Sequence, residues 1–383
     1  MHDINLFVPR FDVEACLTEI RECLERGWTG LGFKTVEFER AWCAFTGLSH
    51  GHFLNSATAG LHLAVKILKA RFGWADGDEI ITTPFTFVST NHAILYEGLR
   101  PVFADIDDHL CLDPQSIAER IGPRTRAVIF VGHGGSSGQW QAVVDLCRAR
   151  GLILILDAAH QTGTRFRGRT PAADADVSIF SFQAVKNLPT ADAGMICFAA
   201  AEDDAAARRL AWLGIDKDTF QRTIGQGAYK WRYEVDEVGY KYHGNSIMAA
   251  IGLVQLRHVE ADNAWRRSIS AVYNRELAGI DGIGLIPDAP DCVSSRHLYQ
   301  VRIRERDDAI LYLNERRIFP GVHYRDNTLY KVYDFAAHNC PRASAASEEI
   351  LSLPLHLGVS EDDAVFVARH LIDFVRSGAG GPR

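Results

Sequence analysis

The sequence predicts an α/β protein with a mostly parallel sheet covered by helices and a smaller C-terminal α+β domain. Short, wholly apolar segments such as "AVIFVGH", "LILILD" and "VSIFSF" alternate with helical patterns such as "QAVVDLCRARG". Apolar strands that alternate with helices are typical of a sheet buried on both faces. The chain has 383 residues, which favours two domains because a single hydrophobic core rarely grows that large.

The N-terminal part begins with two helical patterns. Apolar residues at helical spacing between Phe11 and Phe45 are interrupted at "GWTGLG", which predicts a loop between two helices. The segment "SATAGLHLAVKILKA" offers a serine or threonine cap before an amphipathic helix. A strand in "EIITTPF", a helix in "VSTNHAILYEG" and a strand in "PVFADI" follow. Helix and strand signals therefore alternate from this point on.

A change of pattern near Leu256 predicts the domain boundary, with a large domain at residues 1–256 and a small one at 257–383. The segment "RHVEADNAWRRSISAVYNRELAG" predicts a long helix, and "HLYQVRI", "DDAILYLNERRI" and "DDAVFVARHLIDFV" predict the α+β unit. The tail "SGAGGPR" is expected to be disordered, because it carries almost no apolar side chains.

Composition narrows the class of protein. A formal net charge of -7 gives no broad basic face, so we expect no nucleic-acid partner. The eight cysteines lack CxxC spacing and lie in apolar patterns, which favours free thiols and predicts no metal site. The sequence shows neither a leader pattern nor an apolar stretch long enough to span a membrane. A cytoplasmic protein without membrane contact is the resulting expectation.

Three features lie where an open parallel sheet binds its ligands, at the carboxyl ends of strands. Asp157 ends "LILILD", and its carboxylate is either a helix cap or a functional charge. The stretch "FLNSATAGLHLA" leads into a helix start whose N–H groups can bind an anion. Lys186 follows "VSIFSF" and is either an ordinary solvated lysine or a reactive one.

Together these features favour one chemistry. A lysine amine in an apolar site loses its proton more readily and can condense with an aldehyde. Pyridoxal 5'-phosphate supplies such an aldehyde, and it also needs an anion site and a carboxylate beside its pyridine nitrogen. The sequence offers all three parts and so predicts this cofactor.

Six separated motifs carry a resemblance that covers nearly the whole chain. They are "NSATAGLHLA", "TTPFTFVSTNHAILYEGLRPVFADID", "LDAAHQTG", "FSFQAVKNLPTADAGMI", "GYKYHGNSIMAAIGLVQL" and "LSLPLH". In this order they resemble the DegT/DnrJ/EryC1/StrS family of pyridoxal phosphate-dependent sugar aminotransferases. The resemblance implies the aspartate aminotransferase-like fold of PLP-dependent transferases.

The resemblance also implies roles for individual residues. It implies that Lys186 forms the Schiff base with the cofactor, that Asp157 pairs with the pyridinium nitrogen and that His160 approaches the ring hydroxyl. Phe87 would stack on the ring, with plain core packing as the alternative. The positions that match the phosphate binders are Ala57, Thr58 and Ser181, the last with a locally satisfied hydroxyl as the alternative.

Several positions depart from the family pattern. "GYKYHGN" has Lys241 and His243 where the family usually shows asparagine and arginine, and "ADAG" stands where "GEGG" is usual. Ala57 replaces a common glycine, and "VGHGGSSGQW" replaces a histidine and tyrosine pattern. The asparagine position reaches the cofactor of the neighbouring subunit in the family. The resemblance therefore implies a homodimer with shared active sites, in which Lys241 serves the partner's cofactor phosphate.

The predicted activity is transamination. The resemblance implies that glutamate donates its amino group, that pyridoxamine phosphate is the intermediate cofactor form, and that a keto sugar, nucleotide-linked, receives the group. Candidate substrate contacts are Trp28, His323, Tyr324 and Arg325, with ordinary loop packing as the alternative. A cyclitol (keto-inositol-type) aminotransferase and a non-catalytic PLP-binding regulatory protein remain open, whereas Lys186 argues against a dehydratase, which carries histidine at that position.

Overall fold

The computed structural model describes residues 2–216, 233–336 and 339–378. The helices are α1 Val13–Glu25, α2 Phe33–Thr46, α3 Ala57–Phe72, α4 Val88–Tyr96, α5 Pro114–Arg120, α6 Trp140–Arg150, α7 Ala201–Ala211, α8 Ser246–Leu256, α9 Val259–Leu277, α10 Arg306–Asn314, α11 Pro341–Glu349 and α12 Glu361–Ser377. The strands are β1 Ile4–Asn5, β2 His52–Leu54, β3 Glu79–Thr82, β4 Arg100–Phe103, β5 Thr125–Val131, β6 Ile153–Asp157, β7 Arg165–Phe166, β8 Val177–Ser181, β9 Gly194–Phe198, β10 Gly284–Leu285, β11 Cys292–Val293, β12 Tyr299–Arg302, β13 Ile318–Phe319 and β14 Ile350–Leu353.

A seven-stranded sheet in the order β2-β9-β8-β6-β5-β3-β4 forms the centre of the molecule. Its neighbouring strands pair in parallel except around β9, which runs antiparallel to β8 and to β2. Strands β5, β6, β8 and β9 are almost wholly buried, as expected for a sheet covered on both faces. The predicted α/β fold with a mostly parallel sheet is confirmed.

The two faces of this sheet have different cores. One face packs aromatic rings, with Trp42 lying 4.8 Å from Phe180 and 5.0 Å from Phe182 between ring centroids. The other face is aliphatic and includes Leu61 and Ile155. Burying a large apolar side chain contributes about 1.5–3 kcal/mol, so these two layers hold the sheet and the loops at its carboxyl edge in place.

Helix α3 begins at that edge, directly after β2. The hydroxyl of Ser56 accepts a hydrogen bond from the backbone N–H of Ala59 at 3.1 Å, which caps the helix as the sequence predicts. Gly73 ends the helix in the left-handed conformation, with φ 63°. The helix is 16 residues long. Because it begins at the carboxyl edge of the sheet, the positive end of its dipole lies there.

The C-terminal part forms a three-stranded antiparallel sheet, β10-β12-β14, with its own core against α9 and α12. Ile4 of β1 belongs to that core, and β1 pairs in parallel with β13. The N-terminal strand thus packs with the C-terminal part, although the division at residue 256 assigns it to the large domain. That division stays a prediction.

Helix α12 extends further than the sequence indicates. Ser377 is its last residue and Gly378 caps it with φ 60°, so the first two residues of the predicted disordered tail are ordered. The rest of that tail lies outside the described residues. Within the described ranges, no helix is long and apolar enough to cross a bilayer.

Candidate active site

A cavity of about 440 Å³ opens at the carboxyl edge of the large sheet. Its wall is built by the ends of β5, β6 and β8, the start of α3, the loop after β3 and residues of the C-terminal part. Nine sequence-predicted site residues line it, namely Ala57, Thr58, Phe87, Asp157, His160, Ser181, Lys186, His323 and Tyr324. The fold therefore gathers these nine residues from five separate segments into one site.

Lys186 lies in the connection between β8 and β9. Backbone hydrogen bonds across this connection, from Phe182 to Ala193 at 2.9 Å and from Lys186 to Gln183 at 2.8 Å, fix its position. The side chain is half-buried and faces the cavity. Burial lowers the pKa of the amine to about 8, and the Asp157 carboxylate opposes this shift. Roughly a tenth of such an amine is neutral at pH 7.

Asp157 ends β6 and is buried, with an exposed fraction of 4%. Its carboxylate accepts hydrogen bonds from the Thr90 hydroxyl at 2.8 Å and from the Ala159 N–H at 3.1 Å. Burial raises the pKa of this carboxyl group, while the Thr90 hydrogen bond, the Ala159 N–H and the Lys186 charge act against it. The chain forms turns directly after Asp157, so the helix-cap alternative is wrong.

The start of α3 has the geometry that suits an anion. The backbone N–H groups at Ala57 and Thr58 belong to the first turn, which leaves them without partners inside the helix. Gly194 at the start of β9 lies against this turn, and a Cβ there would be 2.6 Å from the Ala57 nitrogen. Gly194 is also the glycine of "ADAG" that matches the usual "GEGG". Close approach of strand and helix explains the need for it.

His160 and Tyr324 form a hydrogen-bonded pair on the cavity wall. The N–H of Gly134 donates to His160 Nδ1 at 3.2 Å, so the proton of the neutral ring lies on Nε2, which donates to Tyr324 Oη at 3.1 Å. Burial and the Lys186 charge hold the pKa of His160 well below its ordinary value. Phe87 is 58% exposed at the rim, so its alternative interpretation as a core residue is wrong.

Three predicted residues lie away from the cavity of their own chain. The Trp28 indole N–H donates to the Leu31 carbonyl at 2.7 Å. Arg325 is exposed, with its guanidinium carbon 5.4 Å from the Tyr330 ring. Lys241 is exposed and places Nζ 3.4 Å from the Trp212 ring centroid. Their predicted substrate and cofactor contacts stay predictions.

Two histidines of this region were not predicted from the sequence. His297 lines the cavity, with Nε2 3.5 Å from Lys186 Nζ, and His133 lies behind the wall with Nε2 2.7 Å from Gln300 Oε1. Burial lowers the pKa of His133 to about 4 and that of His323 to about 3. The rings of His133 and His323 therefore add no positive charge near Lys186 at neutral pH. No local pattern marks His297, which precedes an ordinary strand.

The residues present fit pyridoxal phosphate. Lys186 supplies a partly neutral amine, Asp157 a buried carboxylate, and the start of α3 an anion site that Gly194 keeps close to β9. The cavity volume of about 440 Å³ lies within the usual range for small-molecule sites.

Comparisons with known proteins identify the family of this chain. The DegT/DnrJ/EryC1/StrS aminotransferase family model matches residues 12–372. The spore coat polysaccharide biosynthesis protein SpsC of Bacillus subtilis (strain 168) is 34% identical over 94% of both chains. The crystal structure of the aminotransferase TlmJ from Streptoalloteichus hindustanus superposes with a TM-score of 0.89 at 34% identity, covering 98% of this chain and 99% of that one. For the sugar aminotransferase CalS13 from Micromonospora echinospora, the TM-score is 0.86 at 28% identity, covering 99% and 100%. This chain belongs to the DegT/DnrJ/EryC1/StrS aminotransferase family and is a PLP-dependent sugar aminotransferase.

Proposed function

We propose that this enzyme transfers an amino group from glutamate to a keto sugar carried on a nucleotide. The observation that carries the proposal is the placement of the Lys186 amine and the Asp157 carboxylate in one cavity beside the start of α3. The names of the relatives support the sugar, since SpsC is a polysaccharide biosynthesis protein and CalS13 a sugar aminotransferase. Both names are compatible with activated sugars as substrates.

The cofactor, when bound, supplies an aldehyde carbon and a ring that accepts electron density. Lys186 first holds the cofactor through its amine. When its amine is free, Lys186 would act as the base and then the acid that moves a proton at the substrate carbon. Its lowered pKa suits this exchange, because an amine with pKa about 8 can both take and give a proton near neutral pH.

Asp157 and α3 orient the cofactor. The buried Asp157 carboxylate, oriented by Thr90 and Ala159, would pair with the pyridine nitrogen of the cofactor and favour its protonated form. The N–H groups of Ala57 and Thr58 bind the phosphate. Tyr324 Oη accepts the hydrogen bond from His160 Nε2, so its own O–H points elsewhere and can donate to a substrate or cofactor oxygen.

We further propose a homodimer whose two sites are shared, with Lys241 binding the partner's cofactor phosphate. Lys241 is exposed and does not line the cavity of its own chain. A mixture of Lys186→Ala and Lys241→Glu should regain activity, because each hybrid dimer has one site with both native residues. If subunit exchange occurs and the mixture stays inactive, Lys241 does not act across the interface.

The cytoplasmic location remains a prediction.

The substrate class is tested with a panel of keto-sugar nucleotides and keto-cyclitols, assayed with glutamate for the product amine. We expect turnover of at least one keto-sugar nucleotide and none in Lys186→Ala, which should also lose the yellow absorbance band that borohydride bleaches. Turnover of keto-cyclitols alone would favour the cyclitol aminotransferase. If the protein binds the cofactor but neither reacts with glutamate nor aminates any acceptor, the result would favour the regulatory protein.

A further inference from the structure

His297 is held rigidly beside Lys186. Its ring is 1% exposed and lies between two others, stacked on Phe7 at 5.5 Å with an interplanar angle of 8° and tilted against His160 at 4.2 Å. Nε2 is 3.5 Å from Lys186 Nζ, which is long for a hydrogen bond. Nδ1 is 2.9 Å from Asn187 Oδ1. The imidazole therefore has one nitrogen facing Asn187 and the other facing the reactive amine.

The hydrogen bonds of Asn187 determine which ring nitrogen carries the proton. Asn187 Nδ2 donates to the Ser295 carbonyl at 2.8 Å and to Asn263 Oδ1 at 2.7 Å. A backbone carbonyl only accepts, so the amide group of Asn187 cannot be turned around. Asn263 is fixed in the same way, because its Nδ2 donates to the Thr162 carbonyl at 2.9 Å. Asn187 thus presents its oxygen to His297, and Nδ1 of His297 must carry the proton.

The remaining nitrogen is then an acceptor. A neutral imidazole with its proton on Nδ1 has a lone pair on Nε2, and this lone pair faces Lys186 Nζ. Burial, together with the charge on Lys186, keeps the pKa of His297 well below its ordinary value. A neutral amine has two N–H bonds and one lone pair. When one N–H points at His297, the lone pair of Lys186 is free to point into the cavity.

We propose that His297 is a positioning residue for Lys186: its Nε2, made an acceptor by the chain Thr162–Asn263–Asn187, binds one N–H of the lysine amine and directs the amine's lone pair into the cavity. His297 acts through Lys186 and not on the substrate. The proposal rests on Lys186 being the lysine that condenses with the cofactor. It does not depend on which sugar, donor or nucleotide the enzyme uses.

The tautomer is tested directly by NMR on the full-length protein with nitrogen-15-labelled histidine. The His297 signals are assigned from their loss in His297→Gln. We expect a neutral ring with a protonated Nδ1 and an unprotonated Nε2 at neutral pH. In Asn187→Leu the proton should no longer be confined to Nδ1. A protonated Nε2, or a doubly protonated ring, would overturn the proposal without any assay of activity.

Two substitutions then separate the two nitrogens of the ring. His297→Asn places an amide near Nδ1 and keeps a donor for Asn187, but leaves nothing opposite Lys186. His297→Gln places an amide near Nε2 and can present its oxygen to the amine. In protein stripped of cofactor, condensation with added pyridoxal phosphate should slow about five- to tenfold in His297→Asn, the effect of one lost hydrogen bond. It should be largely restored in His297→Gln.

Equal rates in the wild type and His297→Asn would overturn the positioning role, as would equal losses in both variants. If His297→Asn does not fold, the tautomer of the wild type still tests the proposal. A large loss of the condensation rate in His297→Gln would also contradict it. Failure of the whole substrate panel with a normal condensation rate would count against the proposed function alone. The two proposals therefore fail separately.

Discussion

Lys186 should behave as a lysine of unusually low pKa even before it meets a substrate. Burial lowers its pKa from an ordinary 10.5 to about 8. At pH 7 this shift increases the neutral fraction of the amine roughly 300-fold, from a few parts in ten thousand to about a tenth. Since only the neutral amine attacks an aldehyde, the rate of condensation with pyridoxal phosphate reports this fraction.

The informative perturbation is Asp157→Asn. The Asp157 carboxylate raises the pKa of Lys186, because a negative charge favours the ammonium form. Its removal should therefore move the pKa of Lys186 below about 8 and speed condensation at pH 7, although the same variant should transfer amine far more slowly. Asp192 provides a matched control, since its carboxylate is exposed on the same cavity and its charge is screened by solvent.

The assay follows the near-visible absorbance band as pyridoxal phosphate is added to cofactor-stripped protein over a series of pH values. The wild type should show a midpoint about 2.5 units below that of an ordinary lysine. Asp157→Asn should show a lower midpoint still, and Asp192→Asn the wild-type value. A wild-type midpoint near 10 would refute the argument from burial. A midpoint that rises in Asp157→Asn would refute the assigned sign of the Asp157–Lys186 interaction.

Further predictions concern the surroundings of the site. Gly194→Ala should weaken cofactor binding at least about tenfold in a titration with pyridoxal phosphate, because its Cβ would collide with the start of α3. Gly122→Ala is the control, since its Cβ would have no neighbour closer than 3.8 Å. This variant should bind the cofactor normally. Thr90→Val should lower kcat about tenfold, because the hydrogen bond that it removes from Asp157 is worth about 1.5 kcal/mol. Thr90→Ser keeps the hydroxyl and should restore kcat. An unchanged kcat in the valine variant would show that this bond does not orient the carboxylate. Burial lowers the pKa of His133 from 6.5 to about 4, so its contribution to stability is complete above pH 6.5 and is lost as the pH falls toward 4. The Tm should fall over that window by less in His133→Gln than in the wild type, and equal slopes would contradict this assignment.

Much of the active-site framework could be predicted from the sequence because it follows from local patterns. Alternating apolar strands and helices predict a parallel sheet, and the carboxyl ends of parallel strands meet at one edge. Residues at the end of a strand or in the loop after it, such as Asp157 and Lys186, are therefore expected near each other from the order of strands and helices alone. The serine cap of α3 is equally local, since it depends on residues three positions apart.

Only the tertiary structure decided which distant segments complete the site. His297 lies 110 residues from its partner Asn187 along the chain, and Tyr324 lies 164 residues from His160. Ile4 joins the C-terminal core by pairing with Ile318. Such contacts leave no periodic signal in the sequence, because they depend on how two packed units meet and not on the conformation of either segment. Periodicity determined the strands and helices, and packing determined which side chains reach Lys186.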